Sequence, residues 1–277
     1  MITSSTLEIP GATLYYEVRG AGPLVVLVGA PMDARSFAPL ADLLATDHTV
    51  LTTDPRGINR SPLDNPAEGS TPEQRADDLA RLLVQLGAGP ATVLGSSGGA
   101  VSVLALAQNH AELVSTVIAH EPPLDELLDD RDQLRARSDD LMATYLGGDV
   151  LGAWKKFFEA ANIFLPAEAL EGMFGGERDP QTVADERFWF EHEMRASIRW
   201  QPDLAALRDS GVRIVVGIGE DSTDQHCDRT ASALAAELGV KPALFPGDHT
   251  GFADQPDVFA ARLREVLGAT WPKHLNP

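Results

Sequence analysis

The chain has 277 residues, of which 44% are hydrophobic and 23% are charged, a composition typical of a soluble globular protein. Its formal net charge of −19 argues against nucleic acid as a partner, because phosphates are bound by Lys and Arg, and leaves no basic surface for an anionic membrane. No apolar run approaches the ~18 residues that a membrane helix needs. We therefore expect neither a nucleic-acid nor a membrane partner.

Cysteine usage bears on the compartment and on cofactors. The single cysteine, Cys227, cannot form an intramolecular disulfide, and a free thiol is typical of a reducing compartment. The first residues, 1–6, have neither the basic nor the apolar region of a signal peptide, so the chain is predicted to be cytoplasmic. No zinc-ligand spacing and no phosphate-binding glycine loop are present, so we expect no metal and no cofactor. The sequence leaves open whether the chain forms a homodimer.

Short apolar runs alternate with helical patterns over the first 123 residues. This alternation predicts an α/β fold with a mostly parallel, doubly wound sheet covered by helices. The predicted strands are 7–9, 13–18, 24–28, 49–53, 91–94 and 114–119. The predicted helices are 37–44, 71–86 and 100–107.

The alternation stops after Pro123 and returns near residue 210. Residues 124–209 show helical periodicity and no convincing strand, with breaks at two Gly-Gly pairs. Strands are then predicted at 212–218 and 243–245, followed by helices at 229–238 and 256–267. The sequence therefore predicts a core of residues 1–123 and 210–277 with a helical domain of residues 124–209 inserted into it.

The segment Gly95-Ser96-Ser97-Gly98-Gly99 lies between a predicted strand and a predicted helix. A G-x-S-x-G sequence in that context is a nucleophile elbow, which exposes its central serine on a sharp turn at the top of a sheet. Glycines flank the serine because the strand and helix backbones pass too close for a Cβ. Ser97 is therefore the candidate nucleophile, the alternative being a glycine-rich turn with an incidental serine.

A serine nucleophile needs a base to accept its proton and an acid to orient that base. His249 lies in the loop after the last predicted strand, between Gly247 and Gly251. In strand–helix folds with an elbow, the chain order is serine, acid, histidine. Among the seven histidines only His249 has this position.

These segments together resemble the α/β-hydrolase superfamily with an inserted helical cap. The resemblance rests on the elbow, on residues 28–31 (Val-Gly-Ala-Pro), on residues 54–57 (Asp-Pro-Arg-Gly) and on Gly247-x-His249. It implies the fold, a cap formed by residues 124–209, and an oxyanion hole made by the backbone N–H groups of Ala30 and Gly98. Residues 54–57 are expected to hold their loop rather than take part in chemistry, and Asp54 and Arg56 could pair there.

The position of the triad acid departs from the common pattern of the superfamily. The acid usually follows the seventh strand, where this chain has Ser222, with Asp221 and Asp224 close but out of register. Glu121 follows the sixth strand, and subfamilies such as haloalkane dehalogenases and the lactonases that open resorcylic macrolactones carry the acid there. We favour Glu121, with Asp221 and Asp224 as the alternatives.

Aromatic and soft apolar residues of the helical segment are the candidate pocket lining. The predicted substrate-binding residues are Trp154, Phe188, Trp189, His192 and Met194. For each of them singly, packing of the cap onto the core is the alternative role. As a group they indicate an apolar pocket for a small hydrophobic substrate.

The residues and the resemblance together predict a cofactor-independent serine hydrolase. Its substrate would be a small hydrophobic carboxylic ester or lactone, cleaved through an acyl-enzyme. Two alternatives remain: other chemistry on the same fold, such as C–C bond hydrolysis or cofactor-free oxygen chemistry, and a ligand-binding receptor with a vestigial triad.

Overall fold

A computed structural model describes residues 2–268 of the chain, so the predicted core positions Met1 and 269–277 lie outside the described residues. The described strands are β1 Ile2–Ile9, β2 Ala12–Gly20, β3 Leu24–Val28, β4 Thr49–Thr53, β5 Ala91–Ser96, β6 Val114–His120, β7 Arg213–Gly219 and β8 Ala243–Phe245. The described helices are α1 Ala38–Leu44, α2 Pro72–Leu86, α3 Gly98–Asn109, α4 Arg131–Leu146, α5 Val150–Ala161, α6 Ala167–Phe174, α7 Pro180–Phe188, α8 Met194–Ile198, α9 Leu204–Asp209, α10 His226–Leu238, α11 Gly251–Asp254 and α12 Pro256–Gly268.

The strands form one sheet in the order β1-β2-β4-β3-β5-β6-β7-β8. β1 and β2 pair as an antiparallel hairpin, β2 is antiparallel to β4, and the pairs from β4 to β8 are parallel. β3 is buried along its whole length, as its continuous apolar sequence requires for an interior parallel strand. The predicted α/β class with a mostly parallel, doubly wound sheet is confirmed. The first strand is longer than the predicted 7–9, because the β1–β2 pairing extends to Ile2.

Helices cover both faces of the sheet. Side chains of α2, α3 and α10 pack on one face, and those of α1 and α12 pack on the other. The N-terminus of α2 shows how the sequence determines these elements. Thr71 accepts a hydrogen bond from the Gln74 N–H, the Gln74 side chain accepts one from the Thr71 N–H, and the helix ends at Gly87 with φ of 60°.

Between β6 and β7, the described chain contains helices and turns but no strand. We call residues 121–212 the helical insertion. It has an apolar cluster of its own that includes Leu141, Tyr145 and Phe190, and one π-helical turn, Trp189–Glu193, joins α7 to α8. Whether residues 124–209 form a separate domain stays a prediction. Within residues 2–268, no helix combines the length and the apolar character that crossing a bilayer requires.

Asp54 and Arg56 do not pair with each other. Asp54 is fully buried and accepts hydrogen bonds from Arg60, with an Nε–Oδ2 distance of 2.7 Å. Arg56 instead forms two hydrogen bonds to Asp78 on α2, of 2.7 and 2.6 Å. The two residues belong to two separate ion pairs, because Arg56 turns toward the helix layer.

Candidate active site

Ser97 occupies the turn between β5 and α3 in a strained backbone conformation. Its φ of 56° and ψ of −126° are unfavourable for a residue with a Cβ, and strain of this kind is concentrated at functional sites. A Cβ added to Gly95 would lie 2.3 Å from the Gly99 carbonyl oxygen, and one added to Gly99 would lie 2.3 Å from that of Val28. The glycines of the elbow are therefore required by the close approach of backbone segments.

His249 lies in the loop between β8 and α11, and Glu121 directly follows β6. The Glu121 Oε2 accepts a hydrogen bond from Nδ1 of His249 at 2.6 Å, although 128 residues separate the two in sequence. A carboxylate at Nδ1 fixes the tautomer in which Nε2 of a neutral imidazole can accept a proton. Ser97 and His249 line the same cavity.

The Glu121 carboxylate is held from two further directions. Its Oε1 accepts a hydrogen bond from the Gly219 N–H at 2.8 Å. The backbone N–H of Glu121 donates to the Gly217 carbonyl at 3.0 Å and so fixes the main chain that carries the carboxylate. Its φ is 51°, so β6 ends in a sharp change of direction at this residue. Burial would raise the pKa of the fully buried carboxyl, but the hydrogen bond from His249 and the nearby imidazoles outweigh it and lower the pKa to about 2.

The alternative acids lie elsewhere. Asp221 and Asp224 are exposed, and neither forms a hydrogen bond to His249. Ser222 is fully buried, and its hydroxyl helps to lower the pKa of Glu121. The structure therefore pairs His249 with Glu121 and not with Asp221 or Asp224.

Two backbone N–H groups at the cavity floor are available to an anionic oxygen. Ala30 follows β3, Gly98 begins α3, and both line the cavity beside Ser97. Neither N–H has a hydrogen-bond acceptor within residues 2–268. A Cβ on Gly98 would lie 2.6 Å from the Ala30 carbonyl oxygen, so the two segments are in close contact. The N-terminal end of α3 adds its dipole to this site.

Cys227 is a neighbour of the imidazole that sequence reasoning did not identify. Ligand atoms of Cys227, His249 and Glu121 all lie within 4.8 Å of one another. Burial opposes protonation of His249, but charge and hydrogen-bond interactions with the Cys227 sulfur and the Glu121 carboxylate outweigh it and hold the pKa of the ring well above its ordinary value. Cys227 is the second residue of α10. No sequence motif includes this cysteine, so its position beside His249 could not be predicted from the sequence.

The same three residues have the ligand types of a metal site. However, the 2.6 Å between Nδ1 of His249 and Oε2 of Glu121 is a hydrogen-bond distance. Two ligands of a tetrahedral zinc ion would be ~3.3 Å apart, given bonds of about 2.0–2.1 Å. We therefore interpret the cluster as a hydrogen-bonded acid–base group.

The cavity above Ser97 has about 800 Å³ of empty space, including its open mouth. Its floor is formed by Ala30, Ser97, Gly98 and His249, and its walls come largely from the helical insertion. Apolar wall residues are Leu134, Leu141, Phe157, Ala160, Ala161, Trp189, Met194 and Ile198. A cavity with mostly apolar walls and a few polar groups suits a small hydrophobic molecule.

The predicted pocket residues divide into two groups. Trp189 and Met194 line the cavity, whereas Trp154, Phe188 and His192 do not. Trp154 lies one layer behind, stacked on Trp189 with ring centroids 5.5 Å apart and donating to Glu186 at 2.7 Å. Phe188 packs on the core. Its ring lies against Gly57, so closely that a Cβ on Gly57 would be 2.2 Å from it. The His192 ring lies 5.3 Å from Phe188, on that same side. We correct the pocket lining accordingly.

Polar wall residues are the part of the cavity that sequence reasoning missed. They are Asp125, Arg137, Ser138, Ser197, His226 and Cys227. They come from four separate stretches of the chain, so no local spacing joins them. Only Asp125 could have been suspected from the sequence, because it follows the predicted acid, Glu121, by four residues at the start of the insertion.

A buried arginine holds the wall that carries Ser197. Arg75 on α2 donates to the Ser102 hydroxyl at 2.8 Å and to the Ser197 hydroxyl at 2.8 Å. Its guanidinium lies 3.9 Å from the carboxylate of Glu193, which ends the π-helical turn. Both carboxylate oxygens of Glu193 are buried without a hydrogen-bond partner among the described residues, and burial raises the pKa of this carboxyl despite the opposing charge of Arg75.

The fold and this site are those of the alpha/beta hydrolases. Residues 24–262 match the model of the alpha/beta hydrolase family. The chain belongs to this family and is a hydrolase. An uncharacterized hydrolase, YraK, from Bacillus subtilis is 34% identical over 96% of either chain. A zearalenone hydrolase from Bionectria ochroleuca is 30% identical, over 99% of this chain and 100% of its own.

Solved structures share the fold. An esterase from Exiguobacterium antarcticum has a TM-score of 0.74 at 23% identity, covering 96% of this chain and 100% of its own. An alpha/beta hydrolase from Sphaerobacter thermophilus has a TM-score of 0.69 at 24% identity, covering 95% and 100%.

Proposed function

We propose that the protein is a serine hydrolase that cleaves a carboxylic ester or lactone of a small hydrophobic molecule. The observation that carries this proposal is the arrangement at the cavity floor. A strained Ser97, two N–H groups without acceptors and the Glu121-paired His249 face one apolar cavity. Each of these features has a separate task in acyl transfer.

In the proposed reaction, Ser97 Oγ attacks the substrate carbonyl while His249 Nε2 takes its proton. The N–H groups of Ala30 and Gly98 stabilise the tetrahedral oxyanion. Glu121 stabilises the imidazolium through Nδ1, and His249 then protonates the leaving alcohol. Water, activated by the same imidazole, releases the acid and restores the serine. For a lactone, the alcohol freed in the first step remains part of the acyl chain, so the second step releases a single hydroxy acid.

Two relatives support the choice of bond. One with 30% identity over nearly the whole chain is named zearalenone hydrolase, and a fold neighbour is named an esterase. The polar and apolar layout of the cavity agrees with such a substrate, because apolar walls surround a small number of convergent polar groups.

Labelling with a fluorophosphonate probe tests the proposal. We expect stoichiometric modification at Ser97 and none in the Ser97→Ala variant, whose hydrolysis of p-nitrophenyl esters should fall by about 10³-fold or more. A panel of p-nitrophenyl esters and lactones of graded size then identifies the acyl group. A folded wild-type protein that is not labelled, or a Ser97→Ala variant with full activity, would overturn the proposal.

A further inference from the structure

We propose that His226 and Asp125 form a second polar site in the cavity, which accepts a hydrogen bond from a hydroxyl group of the substrate. The proposal rests on the proposed function, since it specifies the substrate class of the same cavity. The substrate would then be a hydrophobic ester or lactone that carries a hydroxyl group away from the reacting carbonyl.

The two residues form a close and shielded pair. Nε2 of His226 lies 2.8 Å from Oδ1 of Asp125, and the side chains are only 14% and 6% exposed. Asp125 belongs to a short 3₁₀ turn, Asp125–Leu127, near the start of the helical insertion, and His226 is the first residue of α10. Both line the cavity that contains Ser97 and His249.

The carboxylate determines what the other ring nitrogen can do. A carboxylate only accepts hydrogen bonds, so the ring nitrogen that faces Asp125, Nε2 of His226, is the one that donates, and in this tautomer Nδ1 keeps a lone pair. Nδ1 has no partner within residues 2–268 and is not one of the fully buried unpartnered atoms. It is therefore accessible, and the group that it would bind is a donor such as a hydroxyl.

A role in holding the fold together is already filled by other contacts. The Thr230 hydroxyl donates to the Pro122 carbonyl at 2.7 Å, and Arg229 pairs with Asp130 at 2.8 Å. Both contacts tie α10 to the start of the helical insertion, as the His226–Asp125 pair does, but none of these four residues lines the cavity. Variants at Thr230 and Arg229 are therefore matched controls for a structural role.

An accessible acceptor on a largely apolar wall should favour substrates that carry a hydroxyl group at this position over substrates that do not. A ligand that fills the cavity without a donor leaves Nδ1 desolvated and unpaired, which costs about 1–3 kcal/mol. We therefore expect the hydroxylated member of a matched substrate pair to be preferred by about 5–150-fold in kcat/KM.

The test uses p-nitrophenyl 3-phenylpropanoate and its meta- and para-hydroxy and methoxy analogues. For wild type, at least one hydroxy isomer should exceed both the unsubstituted ester and its methoxy analogue in kcat/KM by the factor above. His226→Phe should abolish this preference while still hydrolysing the unsubstituted ester, and Asp125→Asn should reduce it. Thr230→Val and Arg229→Gln should leave the ratio unchanged.

Three results would overturn the proposal: no preference for any hydroxy isomer in wild type, an unchanged preference in His226→Phe, or an equal loss in Thr230→Val. Calorimetric binding of the same esters to Ser97→Ala gives the ratio without turnover. If the wild type hydrolyses none of these esters and its Ser97 is not labelled by fluorophosphonate, the proposed function fails. The binding ratio then still decides the role of His226.

Discussion

Glu121 joins β6 to the imidazole of His249 through a 2.6 Å hydrogen bond while its second oxygen is bound by the Gly219 N–H. Because both oxygens are occupied and the side chain is fully buried, the carboxylate has one orientation. The base is therefore aligned by a group on a neighbouring strand end rather than by the loop that follows β7.

Replacing this acid should remove most of the activity. We expect Glu121→Gln to lower kcat by about 10²–10⁴-fold, because an amide does not stabilise the imidazolium and can favour the wrong tautomer. Asp221→Asn and Asp224→Asn should remain within about twofold of wild type, since both side chains are exposed and away from His249. Steady-state hydrolysis of a p-nitrophenyl ester measures all three. Loss of turnover in an aspartate variant alone would contradict the assignment of Glu121.

Cys227 should shift the pH dependence of the reaction. Its sulfur and the Glu121 carboxylate together hold the pKa of His249 well above the ordinary value, and the base must be neutral to accept the serine proton. Hence kcat/KM should rise with pH through this raised pKa. In Cys227→Ser the thiol contribution is absent, so the midpoint of the acid limb should move to lower pH. A pH–kcat/KM profile of both proteins measures the shift, and coincident profiles would rule out this coupling.

His120 should make the fold sensitive to mild acid. Burial lowers the pKa of this fully buried ring to about 4, from 6.5 in an unfolded chain. The unfolded chain therefore binds the proton first, and stability falls as the pH drops through this window, by about 3 kcal/mol in all. Glu121 contributes little between pH 6.5 and 5, since its pKa is about 2 when folded against 4.5 unfolded.

Urea unfolding at pH 6.5 and pH 5 measures this dependence. The His120→Asn variant keeps a donor for the Ser96 hydroxyl, which lies 3.1 Å from Nδ1 of His120, but it has no titratable ring. Its stability should change much less than that of wild type over the same range. An identical pH dependence in the two proteins would assign the acid sensitivity to other groups.

The pair of Arg75 and Glu193 should be strongly coupled. Arg75→Met leaves the buried Glu193 carboxylate without a counter-charge, which should cost about 3–5 kcal/mol of unfolding free energy. The double variant Arg75→Met/Glu193→Leu removes both charges and should recover part of that loss. Chemical denaturation of wild type, both single variants and the double variant gives the coupling energy. A double variant whose loss of stability equals the sum of the two single losses would show that the two charges act independently.

The core of the fold follows from local sequence. β3 and β4 coincide with the predicted ranges 24–28 and 49–53. β3 is a continuous apolar run of the kind that buried parallel strands show, and β4 is rich in β-branched residues and is followed by Asp54 and Pro55. The elbow could also be predicted locally, since its glycines and serine are contiguous. The parallel order of strands then brings the ends of β5 and β6 to the same edge.

The cavity walls could not be predicted in the same way. Phe188, Trp189 and Met194 are close in sequence, yet Phe188 packs on the core while the other two face the cavity. The π-helical turn at Trp189–Glu193 adds a residue to one helical turn and so changes which side chains share a face. Likewise, His226 and Asp125 meet across 101 residues, a contact that depends on how α10 packs against the insertion.

The place of Glu121 has a consequence for chimeric enzymes. This residue directly follows β6 and is the first residue of the helical insertion, so the orienting acid and the cavity walls of the insertion are encoded in one uninterrupted stretch of chain. A chimera that takes the helical insertion from another hydrolase, starting at residue 121, would receive that enzyme's residue at position 121 together with its cavity walls. A crossover placed after Glu121 would keep the parental acid but separate it from the turn that carries Asp125. In this protein, the choice of one splice point therefore decides whether substrate range and catalytic competence are inherited together or apart.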